Sequence, residues 1–349
     1  MPRFPAIDIV DIPGKGRGVI AREFIPQGTR IIAEKPVIKF SGCTSVGYME
    51  SVHKALSSTS KFEFFLSFPC MQGGDPILGR FKHFLPCESG DDNAHGLFAT
   101  ICRINHTCCS PLSGPNAIYC WREDLNREVL HALRDIAPME EITVSYIACQ
   151  IQKQDPPVYL RENFGFVCSC SGCRRSLQLR ARSLTRVHNY NSFMGSFPTS
   201  VQRGQNPEKL LNVLQRNLLA ICEEGYATEL ARGAHYGFRL CAMYGDAENA
   251  IVWETLSRDC DALIQGVDTE EYRNSQKWIR DPATFDLWKV HGLRKLAAPN
   301  PALRRYTPTL ESLPKKYGYT SRNWSSLSII AWACVGLCLA IFVWMFFTQ

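Results

Sequence analysis

The stretch RINHTCCSPLSGPNA, residues 103–117, decides the fold. It sets Asn105 and His106 beside two adjacent cysteines, Cys108 and Cys109, and then breaks at Pro111, Gly114 and Pro115. A strand does not tolerate two internal prolines, because each removes a ladder donor. A simple turn has no use for paired thiols. The segment therefore predicts an irregular passage held by its side chains. A partner for the thiols stands sixty residues on, in FGFVCSCSGC (164–173), where Cys168, Cys170 and Cys173 form a C-x-C-x2-C cluster. Three thiolates this close suit one zinc ion, and a disulfide inside so short a loop would be strained. A tetrahedral site needs a fourth ligand from elsewhere, and Cys108 or Cys109 is the natural source. The metal would then pin the Asn105–His106 segment against the cysteine tail.

The chain has 349 residues, 45% hydrophobic and 21% charged, with a net charge of +6. This is a globular balance with room for two modest domains. The charge is too mild to argue for nucleic acid, and a single cysteine cluster without recognition-helix spacing argues against a zinc-dependent nucleic-acid binder. Sixteen cysteines are many. The opening MPRFPAIDIVDIPGKGRG has no apolar core of a secretory leader, which favours a reducing compartment and metal over disulfides. The scattered Cys43, Cys70, Cys222, Cys241 and Cys260 read as small core hydrophobes.

Residues 18–40 carry β-branched runs around Ile25-Pro-Gln-Gly28, which predicts short strands about a tight turn. GKGRGV (14–19) is followed by a strand-like run instead of a helix, so it reads as a glycine-rich turn and not a phosphate loop. Residues 41–97 are of mixed pattern, with a helix expected around Tyr48–Leu56. AIYCWRE, EVLHALRD and EITVSYI alternate apolar and polar positions, and EDLN supplies a hairpin turn between the first two. From about residue 176 three helix-length segments follow, with apolar residues at three- and four-residue steps, as in stacked helix hairpins. Arg174–Arg186 holds five arginines and no acid. It reads as a solvated helix face, with contact to an acidic substrate as the other reading. Leu327–Phe347 is a run of 21 uncharged residues, LSIIAWACVGLCLAIFVWMFF, which predicts a membrane span.

In this order the pieces resemble the SET-domain family of protein lysine methyltransferases. The residues that carry the resemblance are Gly16-Arg17-Gly18, Arg103 to Cys108, Pro115-Asn116-Ala117, Arg134-Asp135-Ile136, Glu140 to Tyr146, and Phe164 to Cys168 with the cysteine tail. The likeness covers residues 5–175 and is closest to fungal and SMYD-like members, without the MYND zinc finger. It implies an α+β fold. A β-rich SET domain (5–150, with a variable insert at 41–97) carries a pseudoknot and a post-SET zinc site in the cluster at 160–175. A helical region (176–300), a linker (301–326) and the single C-terminal transmembrane helix (327–347) complete the expected organisation.

The resemblance also implies roles. Lys15, Gly16, Arg17, Asn105, His106, Tyr146 and Phe166 would bind S-adenosylmethionine, Tyr146 would be the catalytic tyrosine, and Cys108 would join Cys168, Cys170 and Cys173 on Zn2+. The partner would be a lysine-containing protein substrate, with no direct nucleic acid. A free lysine has a pKa of about 10.4, so the amine must lose a proton before it attacks, and a narrow apolar channel favours the neutral form. The terminal span would make a tail-anchored protein with its catalytic part in the cytosol. Without that span it would be nuclear or cytoplasmic.

Two departures bear on function. Six residues, CSPLSG (109–114), stand where the family pattern has one, and the insertion would displace Asn116 or bulge outward. Met139 stands where a turn glycine is usual. A catalytically idle SET scaffold that binds partners is the alternative function.

Overall fold

The computed structural model describes residues 6–40, 46–70, 78–87, 94–110, 113–149 and 152–308. The chain opens with an antiparallel hairpin of β1 (Ile7–Ile12) and β2 (Gly16–Ala21), turning at Pro13-Gly14-Lys15. Strands β3 (Arg30–Glu34) and β4 (Ile38–Phe40) follow. The insert holds α1 (Val46–Ser57), α2 (Phe62–Leu66) and α3 (Leu78–Phe81), then β5 (Leu85–Pro86) and β6 (His95–Leu97). Next come β7 (Asn105–His106), β8 (Ala117–Arg122), β9 (Arg127–Ala132) and β10 (Glu141–Val144). The strands form three small sheets, ordered β1-β2-β10-β7, β3-β9-β8 and β4-β6-β5. They share one core built from residues such as Val19, Ile32, Leu97, Phe98, Leu130 and Ile142. The alternation seen in AIYCWRE and EVLHALRD becomes the β8–β9 hairpin, with Ala117 opposite Ala132 and Arg122 opposite Arg127. Its turn ends on Asn126 at φ 48°, a left-handed conformation that Asn tolerates through its short polar side chain. Met139, at φ 65° and exposed, takes the same conformation without that help.

The irregular passage read from the sequence opens with one short strand, β7. β7 pairs parallel with β10, Asn105 against Thr143 and His106 against Val144. The paired residues are 38 positions apart in sequence, so the pairing joins two distant segments.

After α4 (Pro156–Phe164) the chain becomes helical: α5 (Leu177–Gln202), α6 (Pro207–Glu223), α7 (Glu229–Met243), α8 (Ala247–Ile264) and α9 (Glu270–Arg280). Leu211, Leu214, Leu218, Phe238 and Trp253 build a second core. Caps fix the starts of these helices: Asn206 accepts from the N–H groups of Glu208 and Lys209, and Thr269 from that of Tyr272, as N-caps do. Residues 301–306, where a linker was expected to begin, form a 3-10 turn with Leu303 fully buried.

Ion pairs join the two cores. Arg30 and Arg122, both almost wholly buried, converge on Asp268 at 2.5 Å and 2.8 Å. Burial alone would raise the Asp268 carboxyl, but the two guanidiniums outweigh it and hold it at about 2. The clamp is intact above pH 4 and weakens as pH falls toward 2. The arginine run 174–186 is a solvated face in part: Arg174, Arg182 and Arg186 are exposed, but three of its arginines also make ion pairs. Arg175 and Arg186 reach the buried Glu224, at 3.6 Å and 2.7 Å. Arg180 pairs with Asp155 at 3.0 Å and donates to the Cys173 carbonyl at 2.7 Å.

The membrane reading is also corrected. Among the described residues no helix is long and apolar enough to cross a membrane. The longest, α5, carries Arg180, Arg182 and Arg186 and packs Val187, Tyr190 and Met194 into the helical core. Leu327–Phe347 itself lies outside the described residues. The structure thus supplies no transmembrane helix on which tail anchoring could rest.

Glu34 and Glu128 face each other across β3 and β9, at 3% and 1% exposure. Glu34 accepts the N–H groups of Thr100 and Ile101, whereas Glu128 Oε2 has no hydrogen-bond partner. Burial, then the charge of Glu34, pushes Glu128 up to about 8. Between pH 4.5 and 8 the folded chain keeps a proton that the unfolded chain has released, so this group's contribution falls as pH rises through that window. Glu128→Gln should stabilise the fold by roughly 2–3 kcal/mol near pH 7 and flatten the loss of stability from pH 5 to 8.5. Denaturant midpoints at both pH values would show it; equal pH dependence in the two proteins would refute it.

Candidate active site

Tyr146 lies just after β10 and is the meeting point of three cavities. The largest, about 800 Å³, is lined by Lys15, Asn105, His106, Asn116, Phe166 and the cysteine tail, among others. A narrow one of about 180 Å³ is walled by Ile104, Tyr119, Val144, Tyr146 and Phe164, with Lys82 and His83 also on its lining. A third, about 430 Å³, gathers Lys15, Arg17, Arg80 and Arg103 against one acid, Asp11.

The backbone explains why Tyr146 points where it does. Its N–H donates to His106 Nδ1 at 2.9 Å, and its hydroxyl donates to the Ile104 carbonyl at 2.7 Å. Its ring packs between His106 and Phe164, with centroids 5.1 Å away on each side. Burial raises the hydroxyl above its ordinary value, so it remains a neutral donor. Because Nδ1 of His106 accepts, a neutral ring carries its proton on Nε2, which faces Cys108 Sγ at 3.1 Å. His106 therefore connects the cysteine cluster to Tyr146.

Glu141 organises the entrance of the large cavity. It pairs with Lys15 at 2.5 Å and accepts from Asn105 Nδ2 at 2.9 Å. Gly18 makes the approach possible, since a Cβ there would lie 2.7 Å from that same Asn105 nitrogen. Asn116 is keyed to the next strand: Nδ2 donates to Glu140 Oε1 (3.0 Å) and the Glu141 carbonyl (2.9 Å), and Oδ1 accepts the Thr143 N–H (2.8 Å). These bonds hold Asn116 against β10 despite the insertion before it.

The sequence candidates divide among the cavities. Lys15, Asn105, His106, Tyr146 and Phe166 line the large one. Gly16 and Arg17 line the basic one instead, which Lys15, Asn105 and Tyr146 share. The sequence did not single out Arg103, Glu141, Tyr119 or Phe164 for the site. Arg103 is 5% exposed, stacks over Phe68 at 4.2 Å and is bonded to the Ala99 carbonyl and Ser67 Oγ. Burial, then Arg17, lowers its pKa. Neither Arg17 nor Arg103 makes an ion pair among the described residues, so a ligand carboxylate would find two unneutralised cations here. The only sequence sign was Arg103 at the head of the RINH stretch.

The sulfurs of Cys108, Cys168, Cys170 and Cys173 all lie within 4.8 Å of one another. Cys108 stands 3.4 Å from Cys173 and 4.0 Å from Cys168. A tetrahedral zinc with bonds of about 2.3 Å needs sulfurs about 3.8 Å apart, so the four fit that ion. Hydrogen bonding within the cluster lowers the Cys168 and Cys170 thiols and leaves those of Cys108 and Cys173 raised, so without a cation the four do not all ionise together. Cys109, left open as a rival, is not in the cluster. It packs against the helical core, and burial pushes its thiol up to about 12.

Comparison with known proteins agrees with this geometry. The SET domain family matches residues 16–147. "Histone-lysine N-methyltransferase set5" of Schizosaccharomyces pombe is 31% identical over 293 residues, spanning 80% of this chain and 85% of that protein. Human "Protein-lysine N-trimethyltransferase SMYD5" is 40% identical over 95 residues, 26% of this chain and 20% of that protein. A Candida albicans "Histone-lysine N-methyltransferase SET5" is 28% identical over 137 residues, 38% of this chain and 24% of that protein. The site and these relatives define a methyltransferase class that uses S-adenosylmethionine. The chain belongs to the SET-domain family of protein lysine methyltransferases.

Proposed function

We propose that this chain transfers a methyl group from S-adenosylmethionine to the side-chain amine of a lysine in a protein, with Tyr146 as the residue that aligns donor and acceptor. The observation that carries this reading is that, among the described residues, Tyr146 alone borders all three cavities. The donor supplies an electrophilic methyl on a sulfonium. The large cavity has a volume typical of cofactor sites, and Asn105, His106 and Phe166 on its lining would hold the nucleoside part. Arg17 and Arg103 in the adjoining cavity would take the amino-acid carboxylate.

The narrow cavity would take the lysine. Tyr119, Ile104, Val144 and Phe164 surround a chain of methylenes and disfavour a charged ammonium by desolvation. The neutral amine would attack the methyl carbon, the N–C bond forming as the C–S bond breaks; S-adenosylhomocysteine would be the leaving group, and the methylated ammonium would then release a proton. The Tyr146 hydroxyl, bonded to the Ile104 carbonyl at 2.7 Å, would supply a polar atom at that junction. Alignment of this kind supplies most of the rate in a reaction with no covalent intermediate. Cys108, Cys168, Cys170 and Cys173 would hold a structural zinc that fixes the tail bearing Phe166 over the large cavity.

Calorimetry of the purified chain with S-adenosylhomocysteine tests the assignment. Wild type should bind, and Asn105→Ala should bind about tenfold more weakly, the worth of one hydrogen bond in a partly buried site. No binding by wild type would favour the idle scaffold, although the undisturbed Asn116 contacts speak for a working pocket.

A further inference from the structure

We propose that the described part of the insertion, residues 109–110 and 113–114, is a structural wall of the cofactor cavity, through which the turn between α6 and α7 sets cofactor affinity. The inference rests on the large cavity being the S-adenosylmethionine site. Ser113 and Gly114 line that cavity beside Cys170 and Ser171, and the Ser113 hydroxyl is hydrogen-bonded to the Ser171 hydroxyl. One wall of the cavity is thus closed by a bond between the insertion and the cysteine tail.

The other end of the insertion is locked into the helical region. Ser110 is buried, at 7% exposure. Its Oγ donates to the Ser113 carbonyl at 2.6 Å and accepts the Ser113 N–H at 3.1 Å, so Ser110 and Ser113 move as one unit. A Cβ on Gly172 would lie 2.8 Å from Ser110 Cβ. A Cβ on Gly225 would lie 2.6 Å from the Ser110 nitrogen and 2.7 Å from its oxygen, and Gly225 itself has φ +89°. Only glycine fits this position: the turn after α6 rests directly on the Ser110 backbone. Neighbouring Cys109 packs into the helical core. The contacts run without a gap from the α6–α7 turn through Ser110 to Ser113 and the cavity. A shift of that turn must therefore move Ser113 relative to Ser171, and cofactor binding must in return favour the docked helical region.

The test uses the full chain and S-adenosylhomocysteine, with affinity from calorimetry and release rate from stopped flow. Ser113→Ala and Ser171→Ala should each weaken binding about five- to tenfold, with faster release. The double variant should be no worse than either single one, because both remove the same bond. Ser113→Thr should restore most of the affinity by returning the hydroxyl, and the cofactor KM of Ser113→Ala should rise by more than kcat falls. Gly225→Ala, which leaves the cavity lining untouched, should weaken binding in the same direction. If that variant does not fold, the Ser113 and Ser171 series decides alone. Wild-type affinity in both serine variants overturns the proposal while leaving the cofactor site standing. A wild-type chain that binds no S-adenosylhomocysteine overturns the site assignment itself.

Discussion

Tyr146→Phe is expected to leave S-adenosylhomocysteine binding within about twofold of wild type while lowering methyl transfer by about 10²-fold or more. The ring is what packs against His106 and Phe164, and phenylalanine keeps it. The hydroxyl is what reaches Ile104 and the junction of the cavities, and it alone is lost. Misalignment of reacting atoms by about 1 Å costs on the order of 10²-fold, and a missing orienting donor acts in the same way. The Ile104 carbonyl, buried at 1%, loses a partner, so a small fall in stability accompanies the change. Turnover with S-adenosylmethionine and a lysine-bearing protein, set beside calorimetry on the same preparation, separates the two effects. Wild-type turnover would remove Tyr146 from its assigned role.

Cys170→Ser should abolish zinc binding and loosen the tail. Wild type should carry one zinc per chain, and Cys109→Ser should keep it, because Cys109 packs elsewhere. Metal ligation in small sites contributes on the order of 10 kcal/mol to local folding. Much of that is local to residues 164–175, which the Arg180 contact to the Cys173 carbonyl also holds. The global melting temperature should therefore fall by about 5–10 °C, while cofactor affinity falls far more, since Phe166 through Ser171 line the large cavity. Metal counting by plasma emission and thermal melts with and without a chelator check both parts. Full zinc content in Cys170→Ser would dismiss the cluster as the site.

The residues that were readable in the sequence are those whose partners are near in sequence or whose pattern is periodic. The β8–β9 hairpin announces itself through alternation and EDLN, and α6, α7 and α8 through their apolar spacing. The helix expected at Tyr48–Leu56 is α1. What stayed hidden depends on distant partners. Nothing in Arg174–Arg186 reveals that Glu224 lies buried 38 residues beyond Arg186. The adjacent Cys108 and Cys109 look alike in the sequence, yet one turns toward the cysteine tail and the other toward the helical core. Arg103 gives no local sign of lying buried beside a cavity, and the Glu141 contacts to Lys15 and Asn105 require three separated strands to meet. The terminal apolar run lies outside the described residues. Its composition suggests a membrane on hydropathy alone, but no described helix supplies the span.

The clamp of Arg30 and Arg122 on Asp268 has a consequence for how the chain is made. Arg30 and Asp268 are 238 positions apart, so a ribosome delivers both arginines long before it delivers their carboxylate. Until then Arg122 has Asp124, at 2.7 Å, but the bridge from the β3-β9-β8 sheet to the helical region cannot close. Contacts of such long sequence separation close slowly, because the loop entropy is spent before the contact forms. The catalytic half of the chain should therefore mature only after the helices emerge. A chain cut near residue 175 should yield a sluggish, aggregation-prone fragment and not a small active enzyme.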